Sequence, residues 1–263
     1  MKETVDTLAN QKKVNYSLNG KLSKTEFVKE LVTDLPVPPT YFPSNVKLNR
    51  EGYLGIDEVI SKSFKKLTTD FVNHKMKSKD VVILDTRKPS KYCAEHIPGS
   101  IFIGLDGRFA PWVGEIIKDI YQEIILIVKK ERVEEAITRL SRVGFDNCLG
   151  YLDGDLKSWK SAGYSTESIR SISPEQFIKE SHQNSQIIDV REKPELSKGK
   201  FQSSINVPLS KIDDKMKFDK NVNSYIYCAG GYRSVIACSL IKKNGLKKLV
   251  NVKTGFSGIK NLI

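Results

Sequence analysis

NSYIYCAGGYRSVIACSLIKKNG, residues 223–245, decides the fold. NSYIY has the composition of a buried strand, SVIACSLIKK that of a helix, and Gly245 is a helix stop. A strand that turns directly into a helix is the unit of a parallel α/β sheet. In such sheets ligands sit beyond the carboxyl ends of the strands, and Cys228 stands at one. The helix starting near Arg233 turns its free N–H groups back toward Cys228. Gly230 and Gly231 permit a nest of inward amides, and Arg233 offers a planar cation. Such a cup suits a thiolate, a persulfide or an oxyanion. The plainer alternative is a cysteine at a βα turn with no chemistry, and the arginine and the two glycines weigh against it.

The chain repeats itself. VVILDTRKPSKY (81–92) matches QIIDVREKPEL (186–196), which places Asp85 on Asp189 at a shift of 104. At the same shift SIFIGL (100–105) falls on SINVPL (204–209). RLSRVGFDNCLGYLDG (139–154) then matches LIKKNGLKKLVNVKTG (240–255) at a shift of 101, pairing Gly144 with Gly245. Each copy alternates apolar strands with helices, such as the one opened by Ser173, Pro174 and Gln176 as N-cap, first-turn proline and capping-box partner. The expected fold class is α/β: two tandem domains, each a parallel sheet flanked by helices. At the 101 shift Ile127 lies opposite Cys228 and Arg132 opposite Arg233. The loop there, IVKKERVEE, has no cysteine and no glycine, and Glu131, Glu134 and Glu135 would oppose an anion. The first copy is therefore expected to be a scaffold or a wall beside the second.

The expected organisation is 1–45 as an N-terminal helix and connector, 46–165 as a domain without the thiol, and 166–263 as the thiol-bearing domain. LSKTEFVKELVTDL reads as a helix capped by Ser23 with an apolar face of Phe27, Leu31, Val32 and Leu35. PVPPTYFPSN reads as an extended connector because of its four prolines. Hydrophobic residues make up 39% and charged residues 28% of the 263, a globular balance. The longest apolar run, IILIV at 124–128, cannot span a bilayer, and MKETVDTLANQKK lacks a signal-peptide core, so a cytoplasmic protein is expected. The formal charge of +12 is spread over the chain. Its densest patch, Lys242, Lys243, Lys247 and Lys248, suits a helix C-terminus. No aromatic-basic module accompanies the charge, which argues against nucleic acid. Cys93, Cys148, Cys228 and Cys238 form no C-x-x-C pair, and the first two and Cys238 read as small buried hydrophobes. His74, His96 and His182 are scattered, so neither a metal nor another cofactor is expected.

The loop C-A-G-G-Y-R-S resembles the active-site loop of the rhodanese family of sulfurtransferases. DVR (189–191), INVPL (205–209) and VKTGF (252–256), with DTR, HIPGSIFIGL and LDG in the first copy, resemble other landmarks of that family across about 46–263. The resemblance implies five-stranded parallel sheets and Cys228 as sulfur acceptor. It also implies that the amides of Ala229, Gly230, Gly231, Tyr232 and Ser234 hold the persulfide, and that Arg233 holds the loop or substrate charge. Asp189 and Arg191 would support the site, with a structural ion pair the favoured reading. Phosphatases with cysteine and arginine in one loop use C-x5-R; here the spacing is C-x4-R, which suits a lone sulfur better than a phosphate.

FVKELVTDLPVPPTYFPSNVKLNREG resembles the junction in proteins where a metallo-β-lactamase-fold persulfide dioxygenase precedes an inactive and an active rhodanese domain. On that resemblance the chain corresponds to the carboxyl-terminal part, without the metal domain or its dioxygenase activity. The partners implied are small sulfur-containing anions, low-molecular-weight thiols and a separate dioxygenase of that fold. The expected function is transfer of sulfane sulfur from thiosulfate or a persulfide to a thiol or other nucleophile. The alternative is a non-catalytic remnant or regulatory sulfur-binding module.

Overall fold

The computed structural model describes residues 5–18, 20–33, 38–39, 41–78, 80–181, 184–213 and 216–263. Leu35 and His182 lie outside them. The chain forms two units, 1–39 and 40–263. The first holds α1 (Leu8–Val14) and α2 (Lys24–Val32). Ser23 and Glu26 close the capping box of α2, and neither helix buries a side chain.

The second unit begins with α3 (Phe42–Glu51) and α4 (Ile56–Ser63), followed by β1 (Lys66–Leu67) and α5 (Thr69–Lys77). Next come β2 (Val81–Asp85), α6 (Pro89–Ala94), β3 (Ile101–Phe102) and α7 (Phe109–Ile116). The first copy ends with β4 (Glu123–Ile127), α8 (Val133–Ser141), β5 (Cys148–Leu152) and α9 (Asp155–Ser161). The second copy contains β6 (Arg170–Ile172), α10 (Pro174–Glu180), β7 (Gln186–Asp189) and β8 (Ile205–Asn206). It closes with β9 (Ser224–Tyr227), α11 (Arg233–Lys243), β10 (Leu249–Val252) and α12 (Gly255–Ile259). The sheets run β1-β5-β4-β2-β3 and β6-β10-β9-β7-β8, with every neighbouring pair parallel. The α/β tandem read from the repeat is thus the observed architecture.

Each sheet is covered on both faces, and side chains alternate between the two cores along a strand. Val82, Leu84, Ile124 and Leu126 meet α4, α7 and α8, while Val81, Ile83, Ile125 and Ile127 join the core of α5 and α9. In the second sheet Tyr225, Tyr227, Val250 and Val252 face α10 and α12. Ile226 and Cys228 face α11.

Two expectations are corrected. The connector does not stay extended: α3 starts at Phe42 with Pro43 in its first turn, where the missing N–H breaks no helical bond. Tyr41 packs on the first core. The assignment of Ile127 and Arg132 as counterparts of Cys228 and Arg233 is one residue off. Asp85 pairs with Ile127 and Asp189 with Tyr227. Val128 therefore occupies the position of Cys228, and Arg132, just before α8, that of Tyr232. The two loops are equally long. The second copy is one residue longer beyond them, between the loop and the glycine that follows the helix, Gly144 or Gly245.

The two copies share a core in which Tyr92, Cys93 and Phe102 of the first meet Ile226, Cys228, Val235 and Cys238 of the second. β3 is the edge of its sheet. There Phe102 N–H donates to Ser239 Oγ on α11 at 3.1 Å, satisfying an edge donor.

Candidate active site

The site grows from the end of β9. Cys228 is 1% exposed and packs in the core that the two copies share. Gly231 N–H donates to Cys228 Sγ at 3.1 Å, and Ser234 Oγ lies 3.7 Å from the sulfur. Gly231 has φ +89°, and a Cβ there would press on the Thr254 backbone; the turn that aims its amide at sulfur needs glycine. Among the described residues the amides of Ala229, Gly230, Tyr232, Arg233 and Ser234 have no protein acceptor.

The loop carbonyls are taken up elsewhere. Phe256 N–H donates to Cys228 O at 2.6 Å and Ser257 N–H to Ala229 O at 3.0 Å, both from the first turn of α12. Because these carbonyls point away to α12, the peptide amides can face the sulfur. Gly255 (φ +53°) makes the approach possible, since a Cβ there would collide with the Cys228 carbonyl. This is the physical content of the VKTGF landmark, to which the sequence alone assigned no role.

Arg233, expected to hold the loop or the substrate charge, has a carboxylate partner. Its two terminal nitrogens donate to the Glu195 carboxylate at 2.6 and 2.7 Å. Hydrogen bonding by Glu195 is the largest influence raising its pKa, against burial, and the charge of Cys228 adds to it. The guanidinium is therefore already paired. Glu195 was missed in the sequence because it lies 38 residues from Arg233. Its one local signal is its position as capping partner of Glu192 in the turn 193–198.

Asp189 and Arg191 form a buried pair. Arg191 Nε and Nη2 donate to the Asp189 carboxylate at 3.0 and 2.6 Å, and Nη2 also donates to Gly199 O at 2.9 Å. The Arg191 guanidinium lies 4.1 Å from the centre of the Phe256 ring. The pair rests on the residue whose amide holds Cys228 O. Asp85 and Arg87 repeat it in the first copy. The Tyr232 side chain donates to Gly104 O at 2.8 Å, tying the loop to the first copy.

The remaining thiols differ from one another. All four cysteines are free and buried. Burial pushes the Cys148 thiol up to about 12 and the Cys238 thiol well above its ordinary value. Cys93, read as bland, borders a pocket that Gly230 and Gly231 also line. In the first copy Arg132 is paired with Asp106 and Glu135, and Arg139 also binds Glu135, so Glu135 presents no free charge to an anion. His96 is structural: it is buried, stacked 4.1 Å from Tyr92, and its Nδ1 lies 2.8 Å from Tyr92 O. Among the described residues no cluster of three His, Cys, Asp or Glu could hold a metal, and no helix is long and apolar enough to cross a membrane.

Comparison with known families places the chain. The rhodanese-like domain model matches twice, at residues 68–162 and 173–262, and the chain belongs to the rhodanese-like family. One relative is "Putative sulfur carrier protein YrkF" of Bacillus subtilis, 32% identical over 102 residues, 38% of this chain and 55% of that protein. Another is "Putative thiosulfate sulfurtransferase, mitochondrial" of Schizosaccharomyces pombe, 35% identical over 79 residues, 25% of this chain and 56% of that protein. The matches thus span about half the length of these relatives. A solved structure titled metallo-beta-lactamase from Staphylococcus aureus is similar at 26% identity and a TM-score of 0.44, over 56% of this chain and 40% of that one.

Proposed function

We propose that the chain is a sulfurtransferase that carries sulfane sulfur as a persulfide on Cys228. The observation that carries this reading is the Gly231 amide on Cys228 Sγ inside a loop whose other amides lack acceptors. With thiosulfate as donor, the Cys228 thiolate attacks the outer sulfur. The S–S bond breaks and sulfite leaves with its electron pair, giving Cys228–S–S⁻. In the second half-reaction an acceptor thiolate attacks that outer sulfur. The new persulfide departs and the Cys228 thiolate is restored. The loop amides meet the negative sulfur in both steps, and their preorganisation costs nothing at the moment of reaction.

Asp189 and Arg191 act at one remove, through Phe256 and α12, and Arg233 with Glu195 fastens the start of α11. The C-x4-R spacing favours a single sulfur over a phosphate. The correspondence with the rhodanese part of dioxygenase fusions, and a separate dioxygenase as partner, belong to this reading through the residues at 27–52. Mass spectrometry after thiosulfate treatment tests it. Gain of one sulfur on the peptide containing Cys228 is expected, and an unmodified Cys228 overturns it.

A further inference from the structure

The first copy differs from the second where α9 meets the loop after β4. Asp153 N–H donates to Leu67 O as Lys253 N–H donates to Ile172 O, so Asp155 (φ +57°) stands where Gly255 (φ +53°) stands in the second copy. Gly255 lets α12 bond Cys228 O and Ala229 O. Asp155 brings a Cβ to that approach, and neither Leu156 N–H nor Lys157 N–H makes the matching bond to Val128 O or Lys129 O. A pocket of about 570 Å³ opens there between the loop, α6 and the start of α9. That is the size of a small-molecule site and too roomy for a bare inorganic anion. Leu156 replaces Phe256, whose ring covers Arg191, and the Arg87 side chain is 11% exposed against 3% for Arg191. Arg87 Nε and Nη2 are taken by Asp85 and Glu95 O. Its Nη1 has no acceptor among the described residues and is not closed off from solvent. The acids Glu95, Asp106 and Glu131 are each paired with a cation of the same pocket, Lys160, Arg132 and Lys129. That leaves Asp155 against Lys88, Lys91 and Lys157, all three exposed and without an ion-pair partner among the described residues.

We propose that this pocket binds a phosphomonoester with an apolar body. The phosphate dianion lies among Lys88, Lys91 and Lys157 and accepts a bond from Arg87 Nη1, a planar donor suited to phosphate oxygens. Three unpaired lysines and that donor exceed what a single carboxylate can use. The apolar body rests on Ala94 and the lysine stems, above Leu105 and Leu156. The site needs no thiol and does not depend on the sulfur-transfer reading. It gives the first copy a binding role of its own, where its loop sequence suggested only a scaffold.

The test is calorimetric titration of the full chain with phenyl phosphate, inorganic phosphate and benzoate. Phenyl phosphate should bind more tightly than either of the others, since one lacks the apolar body and the other the second charge. Lys91→Glu and Lys157→Glu, both surface changes, should each weaken phenyl phosphate about tenfold, the loss of one charge-assisted contact. Asp155→Asn keeps the Cβ and a side chain that tolerates positive φ; by removing the opposing charge it should tighten binding about threefold. Lys62→Glu on α4 and Lys253→Glu beside the thiol loop should change nothing. No binding of phenyl phosphate, or equal binding of inorganic phosphate or benzoate, overturns the proposal. So does an equal loss in Lys62→Glu, which would show general attraction to a basic surface. A loss in Lys253→Glu with none in Lys91→Glu and Lys157→Glu would place the ligand at the thiol loop and overturn it too. Persulfide loading of Cys228 is read by a separate measurement, so the failure of either reading leaves the other standing.

Discussion

Gly255→Ala isolates what α12 does for the thiol loop. Alanine at φ +53° costs about 1 kcal/mol in backbone strain. Its Cβ would also overlap the Cys228 carbonyl, so the first turn of α12 must withdraw. That removes the bonds from Phe256 N–H to Cys228 O and from Ser257 N–H to Ala229 O, worth about 1 kcal/mol each. The expected loss is about 3 kcal/mol, read as a lower urea midpoint at unchanged slope. The control is Gly245→Ala at φ +91°, where a new Cβ meets open space; it should lose only the strain, about 1 kcal/mol. The two variants should also differ in chemistry. Freed from α12, the Cys228 and Ala229 peptides can rotate and turn amides away from the sulfur, so persulfide loading should slow in Gly255→Ala and persist in Gly245→Ala. If the two are equally stable and load sulfur equally fast, the bracing of the loop by α12 is wrong.

Cys228→Ser should abolish loading while circular dichroism stays native, because the glycines and helix termini shape the loop; turnover in this variant would overturn the mechanism. The chain should not hydrolyse aryl phosphates, and Cys228-dependent phosphatase turnover would refute the loop-length argument. Asp189→Asn leaves the Arg191 charge buried beside Gly199 O and Phe256 and should cost about 3–5 kcal/mol in urea titration. Hydrogen bonding by Arg233 holds the Glu195 carboxyl below its ordinary value of 4.5. The stability from that pair is complete above the unfolded value and is lost as pH falls through the folded one. Relative to the unmodified chain, Arg233→Ala should therefore be less stable at neutral pH, and the urea midpoints should converge as pH falls below the ordinary glutamate range. In hydrogen exchange, α2 should show little protection, since its nine residues bury no side chain; strong protection in a dilute monomer would contradict this.

What the sequence determined by itself was local or periodic. Alternating apolar runs and helix signals placed the strands, and the capping residues Ser23 and Ser173 stand where their side chains predicted. The repeat implied the same sheet twice, and the run from Cys228 to Arg233 located the site because its chemistry is contiguous. Tertiary structure decided what depends on distant residues meeting. The connector became α3 from Phe42 onward because Tyr41 finds a core to pack on. The counterpart of Cys228 became Val128 because strand register, rather than the spacing to a later glycine, sets equivalence. Arg233 acquired Glu195, Gly255 met the Cys228 carbonyl, and Cys93 came to border the pocket beside the loop. None of these follows from neighbours in the chain. Each comes from closing long loops so that β10, α12 and α6 converge at the end of β9, where backbone groups and charges separated in sequence satisfy one another.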